Sequence, residues 1–298
     1  MAFYVSSKSV LIFRLFRYGS FPQGRVCIHS SSICPTQEKP TLCSQENGVR
    51  RITLNNPKKR NILSLSMLDS LKEDLSNLDK NNLSCILISG NGPVFSSGHD
   101  LQELTTKTGE DYHKKIFSRC TEVMMAIHNC PVPVIAQVRG LAAAAGCQLI
   151  ASCDIVVASE KSKFSTPGAF VGLFCSTPGI AVARAVPRKV ASYLLYTGQA
   201  IGSTDALMSG LVSKVVPDDL LEEETEKIVE AIVEKSRPVI SLGKAFFLKQ
   251  IHQDLEEAYE QGEKVMVENL KLADTQEGLS AFIEKRTPTW KHTNQTAT

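Results

Sequence analysis

The amino-acid sequence predicts an α/β fold with a helical C-terminal region, and two patterns along the chain lead to this prediction. From Gly48 onward, short runs rich in β-branched residues alternate with longer runs whose apolar residues recur at helical spacing. The last third of the 298 residues is almost entirely of the helical kind. Repeated β and α segments of these lengths predict a core of stacked β-β-α turns or a doubly wound sheet.

The elements of the core are predicted from their periodicity. The strands are "VRRITL", "SCILISG", "VIAQV", "DIVVAS" and "KFS". The stretch "SLSMLDSLKEDLSNLD" predicts a helix because leucines recur every three or four residues, with Ser64 as its cap. The stretch "DYHKKIFSRCTEVMMAIHNC" predicts a second helix, which Pro131 and Pro133 end, and a short third helix is expected over residues 145–152.

The C-terminal third predicts five helices. The stretch "STDALMSGLVSKVV" predicts a capped helix with Gly210 at its end, followed by a short strand, and the last helix, "TQEGLSAFIEKR", is expected to begin with Thr275 as its cap. Three divisions of the chain follow: residues 1–45 as a leader without a fold, 46–235 as the α/β core and 236–298 as a helical extension. A helical tail of this kind often packs on a neighbouring subunit.

Composition excludes several classes of function. Lys and Arg number 33 and Asp and Glu 31, so the net charge of +2 argues against a nucleic-acid partner. Nine cysteines without a CxxC pair predict reduced, mostly structural thiols and no metal site. No apolar run approaches the ~20 residues that a membrane-spanning helix needs.

The N-terminal residues have the composition of a mitochondrial transit peptide. Residues 1–37 contain no Asp or Glu, and they contain four basic residues and many serines. Arg14 and Arg17 interrupt the apolar run that a secretory signal would need. We therefore expect import into the mitochondrial matrix and cleavage before about residue 45.

Two stretches depart from the ordinary pattern: "PVFSSGHDL" and "GLAAAAGCQ". Each places small residues between a predicted strand and a helix-like run, so each can present uncovered backbone N–H groups. Two such donors converging on one point would form an oxyanion hole. The alternative for either stretch alone is a tight turn packed against the sheet.

Taken together with their neighbours, these stretches resemble the enoyl-CoA hydratase/isomerase family, the crotonases. The resemblance extends from about residue 49 to residue 286, through "ITLNNPKKRNILS", "GPVFSSGHDLQEL", "PVPVIAQVRGLAAAAGCQLIASCDIVVAS", "FSTPGAFVGL" and "QEGLSAFIEKRTP". It implies a ClpP-like spiral of β-β-α units with a C-terminal trimerisation region, homotrimers that often stack as hexamers, and an acyl-CoA thioester as ligand. Coenzyme A is then expected only as part of that ligand, with no separate cofactor.

The resemblance assigns the two oxyanion-hole amides to His99 and Ala145. It places the coenzyme A nucleotide near Lys58, Lys59 and Arg60, a run that otherwise indicates a solvated turn. It also implies that a C-terminal segment with Phe282 and Lys285 can reach the ligand of a neighbouring subunit.

The chain departs from the family at the two acid–base positions. Hydratases of the family use two glutamates, and this sequence has Gln148 and Gly168 at the matching positions. Neither residue exchanges protons near neutral pH, so we expect ordinary enoyl-CoA hydration to be impaired. The nearby acids, Asp100 and Asp154, are expected to be caps or structural hydrogen-bonding residues.

Two alternatives for function remain after this departure. The Gly-His-Asp triplet resembles the methylmalonyl-CoA decarboxylase branch, in which decarboxylation needs enolate stabilisation but no base; Phe174 and Cys175 stand where that branch has its pocket tyrosine. The His99 ring would then orient a carboxylate or deliver a proton, or it is a solvated structural histidine. The second alternative is an inactive acyl-CoA-binding regulatory protein. Cys175 is expected to be an inert small hydrophobe, not a nucleophile.

Overall fold

The computed structural model describes residues 39–76, 78 and 82–297. Residues 1–38 of the predicted leader therefore lie outside the described residues. The strands are β1 Thr41–Glu46, β2 Val49–Leu54, β3 Cys85–Gly90, β4 Val134–Val138, β5 Leu141–Ala143, β6 Ile155–Ser159, β7 Lys163–Ser165, β8 Ile201–Gly202 and β9 Lys214–Val216. The helices are α1 Leu65–Ser76, α2 Glu110–His128, α3 Ala145–Ala151, α4 Ser176–Ala185, α5 Arg188–Thr197, α6 Ser203–Met208, α7 Leu221–Val233, α8 Arg237–Gln250, α9 Leu255–Leu270 and α10 Ala273–Ile283.

A six-stranded sheet forms the centre of the fold, in the order β1-β2-β3-β4-β6-β9. All neighbours are parallel except β1 and β2, which form an antiparallel hairpin. A second sheet has the order β5-β7-β8, and the segment before His99 joins it through a bridge between Ser96 and Ala142. Repeated β and α segments followed by the helices α7–α10 agree with the predicted α/β fold with a helical C-terminal region.

Helices cover the large sheet on both faces, as the alternation along β3 shows. Ile86 and Ile88 face one way and join the core formed with α1 and α2. Cys85 and Leu87 face the other way and join a smaller core with Leu221 of α7. Because successive side chains of a strand point to opposite faces, a continuously apolar strand fits a sheet that is buried on both sides.

The hairpin strand β1 was not predicted, and the expected boundary at residue 45 falls inside it. Its turn is formed by Asn47 and Gly48, which both have positive φ (50° and 79°). Asn-Gly is the preferred pair for a two-residue hairpin turn of this geometry, so the sequence did contain the signal. The folded part of the chain therefore begins before residue 45.

Two helices, α4 and α5, were also missed, and the start of α10 was misplaced. Pro178 lies in the first turn of α4 and Pro187 is the N-cap of α5, positions where proline does not disturb a helix. Helix α10 begins at Ala273 and not with Thr275 as its cap, since the Thr275 hydroxyl bonds Asn269 instead. No helix in the described part of the chain is long and apolar enough to span a membrane.

One ion pair attaches the extension to the core. The Lys244 ammonium of α8 is nearly inaccessible and lies 2.7 Å from Asp154 Oδ2. It also donates to the carbonyl of Val132 at 2.9 Å. Asp154 accepts the backbone N–H of Val134 as well, at 2.7 Å, so the prediction that it is structural agrees with its contacts.

Candidate active site

Backbone hydrogen bonds bring the two unusual stretches together. The Ser96 N–H donates to the Leu141 carbonyl at 3.1 Å, and the Ala143 N–H donates to the Ser96 carbonyl at 2.9 Å. Both chains then turn sharply, at Gly98 with φ +90° and at Ala144 with φ 48° and ψ −118°. Positive φ is costly for alanine, by about 1–3 kcal/mol, so the turn at Ala144 is a strained feature that the surrounding contacts must hold in place.

Gly98 lies directly against the second turn. A Cβ atom added to it would stand 2.8 Å from the Cβ of Ala144 and 3.2 Å from the backbone nitrogen of Ala145. The next residue after Gly98 is His99, so the His99 and Ala145 amides lie on adjoining segments. Neither amide donates to an acceptor among the described residues. Two backbone amides without acceptors on adjoining segments are the donors that an oxyanion hole needs.

The His99 side chain is partly buried, and its Nε2 atom is inaccessible to solvent, which does not favour the alternative of a solvated structural histidine. Its Nδ1 lies 3.1 Å from the Leu63 carbonyl oxygen, and the ring meets Phe117 of α2 edge to face, with centroids 5.5 Å apart. Burial lowers the pKa of His99 below its ordinary value, although the Leu63 carbonyl opposes this. Nε2 is buried and has no partner in the part of the chain that the structure describes.

The lowered pKa predicts a specific pH dependence of stability. The folded chain binds a proton at His99 less readily than the unfolded chain does, so this residue destabilises the fold as the pH falls below about 6.5. In urea denaturation at pH 7.5 and 5.5, the parent should lose more unfolding free energy between the two pH values than His99→Asn. Equal losses would show that the ring titrates normally in the folded state.

Gln148 is buried at the first acid–base position. Its side chain is 6% exposed, and the Cys120 thiol of α2 lies 3.9 Å from its Oε1. Burial raises the pKa of Cys120 to about 12, so this thiol is a neutral neighbour that cannot supply the missing proton transfer. The position therefore keeps the shape of a glutamate without its chemistry.

The second position, Gly168, is closed by its own turn. A Cβ there would stand 2.0 Å from the Leu173 carbonyl oxygen and 2.8 Å from the Cys175 sulfur. The Gly168 N–H donates to that sulfur, at 3.3 Å, and the Gly168 carbonyl accepts the Leu173 N–H, at 2.9 Å. The absence of a glutamate is thus built into the local packing. Burial raises the pKa of Cys175, which fits the expected inert thiol.

Asp100 bonds its own loop. Its Oδ1 accepts the Gln102 N–H at 3.0 Å, which is the contact of a structural turn residue. Glu103, three residues after Asp100, accepts hydrogen bonds from the Leu65 N–H at 2.9 Å and from the Tyr112 hydroxyl at 3.2 Å. Both carboxylates have structural partners.

The basic turn lies beside the paired amides. Lys58 and Lys59 belong to a short 3-10 helix, Pro57–Lys59, and both are exposed, as is Arg60. The Arg60 carbonyl accepts the Ser97 N–H at 3.1 Å, two residues before His99. Three positive charges are therefore attached through the backbone to one wall of the candidate site.

Sequence reasoning missed Asn61, which holds this turn. Asn61 is fully buried with φ 50°, and its side-chain amide donates to the carbonyls of Asn91 and Val94 at 2.8 and 2.9 Å. Its Oδ1 accepts the Asn56 N–H at 2.8 Å. Asparagine is one of the non-glycine residues most often found at positive φ, so its residue type is the one signal for this turn.

Phe282 and Lys285 lie outside the paired segments. Phe282, at the end of α10, is 83% exposed, and Lys285 follows it with φ 56°. No hydrogen bond or ion pair joins either side chain to the candidate site within the described ranges.

The fold and the two paired segments agree with the resemblance to the enoyl-CoA hydratase/isomerase family that the sequence showed, and a comparison with known sequences supports the same family. The sequence model of the enoyl-CoA hydratase/isomerase family matches residues 44–293, so the chain belongs to this family.

Particular relatives are very similar over most of their length. The chain is 60% identical over 258 residues to human "Enoyl-CoA hydratase domain-containing protein 3, mitochondrial", which covers 86% of this chain and 85% of the relative. The crystal structure of that human protein superposes with a TM-score of 0.83, covering 84% of this chain and 100% of the other. An enoyl-CoA hydratase structure from Mycobacterium smegmatis, 44% identical, also gives 0.83, with 86% and 100% covered. Similar rat and mouse proteins are also named mitochondrial, and the predicted mitochondrial location is confirmed.

Proposed function

We propose that this mitochondrial crotonase-family protein binds an acyl-CoA in fatty-acid or lipid metabolism. The thioester carbonyl oxygen accepts hydrogen bonds from the His99 and Ala145 backbone amides. The observation that carries this proposal is the close contact of Gly98 with Ala144 and Ala145, beside two amides without acceptors in the described chain. Bulkier residues in either stretch would keep a carbonyl oxygen from approaching to about 2.7–3.1 Å.

The reaction that suits this site passes through an enolate. Each backbone donor of this kind is worth roughly 3 kcal/mol of barrier for a developing oxyanion. Gln148 and Gly168 supply no acid or base, and each missing proton-transfer group generally costs a hundred- to ten-thousandfold in rate. Decarboxylation of a malonyl-type thioester needs no base, so it is one reaction that two such donors can support. The second candidate is a binding protein that regulates acyl-CoA without turnover, which the buried amide of Gln148 favours.

A panel of thioesters separates these candidates. The full-length protein is incubated with crotonyl-, malonyl-, methylmalonyl- and ethylmalonyl-CoA while binding is followed by calorimetry. Binding of several thioesters is expected, with crotonyl-CoA hydration at least a hundredfold slower than by a relative that has both glutamates. Binding without turnover of any thioester leaves the regulatory candidate. Absence of binding contradicts the proposal, and brisk hydration shows that Gln148 and Gly168 do not limit the reaction.

We assign the nucleotide end of coenzyme A to the basic turn. Lys58→Ala/Lys59→Ala should weaken acyl-CoA binding about tenfold at low salt, because two cations that face phosphate are lost. The difference should shrink as salt rises. The control is Arg188→Ala/Lys189→Ala on α5, where the charges removed are the same and binding should not change. Equal weakening in the two variants would show a general charge effect.

We assign the extension to a homotrimer or hexamer. Helix α9 has no buried residue within one chain. Large apolar side chains are exposed along α8–α10: Phe247, Leu255, Tyr259, Met266, Phe282 and Ile283. Many exposed large apolar side chains on one region are typical of a protein interface. In such an assembly Phe282 and Lys285 lie against the ligand of a neighbouring subunit.

A further inference from the structure

The Ser96 side chain lies between the two segments that carry the paired amides. It is fully buried, and Gly146, the residue after Ala145, packs directly on it. A Cβ added to Gly146 would stand 2.7 Å from the Ser96 Cβ and 2.9 Å from its Oγ. Ser96 therefore supports the first turn of α3 beside one amide, and it precedes the other amide, that of His99, in the chain.

The Ser96 hydroxyl both donates and accepts a hydrogen bond within the fold. It donates to the Asn61 carbonyl at 2.8 Å and accepts the Gly98 N–H at 3.2 Å. A serine hydroxyl has one proton to donate, so the Asn61 carbonyl fixes its direction and leaves a lone pair for Gly98. Because Asn61 holds the basic turn, this hydroxyl connects that turn to the residue before His99.

The direction of the His99 N–H follows from the hydrogen bonds of Gly98. The Gly98 carbonyl accepts the Leu63 N–H at 2.7 Å. The C=O and N–H of a planar trans peptide group point in opposite directions, so the His99 N–H points away from Leu63. The Ser96 hydroxyl holds the other side of Gly98, at its N–H. The two peptide groups that flank Gly98 are therefore both fixed, one of them by a serine side chain.

We infer that Ser96 is a positioning residue for the paired amides: its hydroxyl, held by the Asn61 carbonyl, orients Gly98 so that the His99 N–H is aimed at the thioester oxygen. The inference rests on the proposed acyl-CoA site. Ser96 is fully buried and acts only through its neighbours in the fold.

Loss of the hydroxyl should affect the bound carbonyl more than the affinity. A backbone donor polarises a carbonyl strongly only when it is aimed correctly, so a small rotation of the peptide group between Gly98 and His99 weakens that polarisation. Affinity has further sources, because the basic turn contacts the nucleotide end of coenzyme A in the proposed site. A serine that only stabilises the fold would leave the bound carbonyl unchanged.

Infrared spectra of bound butyryl-CoA, labelled with ¹³C at the thioester carbonyl, test this inference on the full-length protein. In the parent the carbonyl band should lie at lower frequency than in water. Ser96→Ala should lose most of this displacement, while the dissociation constant from calorimetry rises no more than about threefold. Ser96→Cys should give an intermediate band, because a thiol is a weaker donor and acceptor than a hydroxyl.

Ser203→Ala is the matched control. Ser203 is also buried, and its hydroxyl donates to a backbone carbonyl, that of Glu160, at 2.6 Å, away from the paired segments. This variant should keep the parent band. A parent-like band in Ser96→Ala, or an equal loss of displacement in Ser203→Ala, would overturn the inference and leave the proposed function intact.

Two further outcomes separate the inference from the proposed function. A parent protein that does not bind butyryl-CoA, or that binds it without displacing the band, would remove the proposed function and the inference with it. If Ser96→Ala does not fold, Ser96→Cys takes its place: a displacement smaller than that of the parent supports the inference, and a parent-like band overturns it.

Discussion

Replacing Gly168 with glutamate is expected to destabilise the fold by about 3 kcal/mol or more and to restore no hydratase activity. The new Cβ would stand 2.0 Å from the Leu173 carbonyl oxygen, so the turn from 168 to 173 has to open. Opening it removes the 2.9 Å bond from the Leu173 N–H and the contact with the Cys175 sulfur. Overpacking alone costs about 1–3 kcal/mol, and the lost hydrogen bonds add to that. The measurements are urea denaturation and a crotonyl-CoA hydration assay.

Gly243→Ala is the matched control for this substitution. Gly243 lies inside α8, and a Cβ there meets no atom within 4 Å. Alanine should be neutral or slightly stabilising at this position, because glycine weakens a helix interior. If Gly168→Glu were as stable as the parent, the 168–173 turn would not be packed as described, and the closed second position would lose its structural basis.

Replacing Gly98 with alanine is expected to damage the paired-amide geometry and acyl-CoA binding together. The added methyl group would lie 2.8 Å from the Cβ of Ala144 and 3.0 Å from the Ala143 carbonyl oxygen, at a φ of +90° that alanine rarely adopts. We expect a loss of about 2–4 kcal/mol in stability and at least tenfold weaker acyl-CoA binding.

A second substitution separates the clash from the backbone strain. Ala144→Gly removes the methyl group that Gly98→Ala would meet, and alone it should stabilise the fold by about 1 kcal/mol by relieving a positive φ. The double variant should recover part of the loss, with a coupling energy of about 1 kcal/mol or more. Strict additivity would show that residues 98 and 144 are not in contact, which would contradict the proposed pairing of the two amides.

Most of the core was predictable from sequence because its elements are strongly periodic. The leucine pattern of α1 and the apolar strands carry local signals that tertiary contacts reinforce. The misses have local causes as well. Helices α4 and α5 contain or follow Pro178, Gly179 and Pro187, residues that are typical of turns, and the Asn47–Gly48 turn of β1 directly follows a stretch with leader-like composition.

The candidate site was only partly predictable, because its geometry depends on contacts distant in sequence. The two stretches could be found separately, but their pairing depends on the bonds between Ser96 and residues 141–143. The partial burial of the His99 ring depends on Phe117, which lies on a separate helix. The lack of space for a side chain at Gly168 depends on the position of the Leu173 carbonyl oxygen, and no sequence pattern predicts that contact.

The most direct test of the central claim is the infrared spectrum of a bound acyl-CoA that carries a ¹³C label at the thioester carbonyl. Two backbone N–H donors aimed at one oxygen polarise the carbonyl, so its stretching band should move to lower frequency than in water, and Gly98→Ala should reduce this shift. A bound ligand whose band stays at or above its position in water would show that the His99 and Ala145 amides do not hold the carbonyl, and would contradict the assignment of the site.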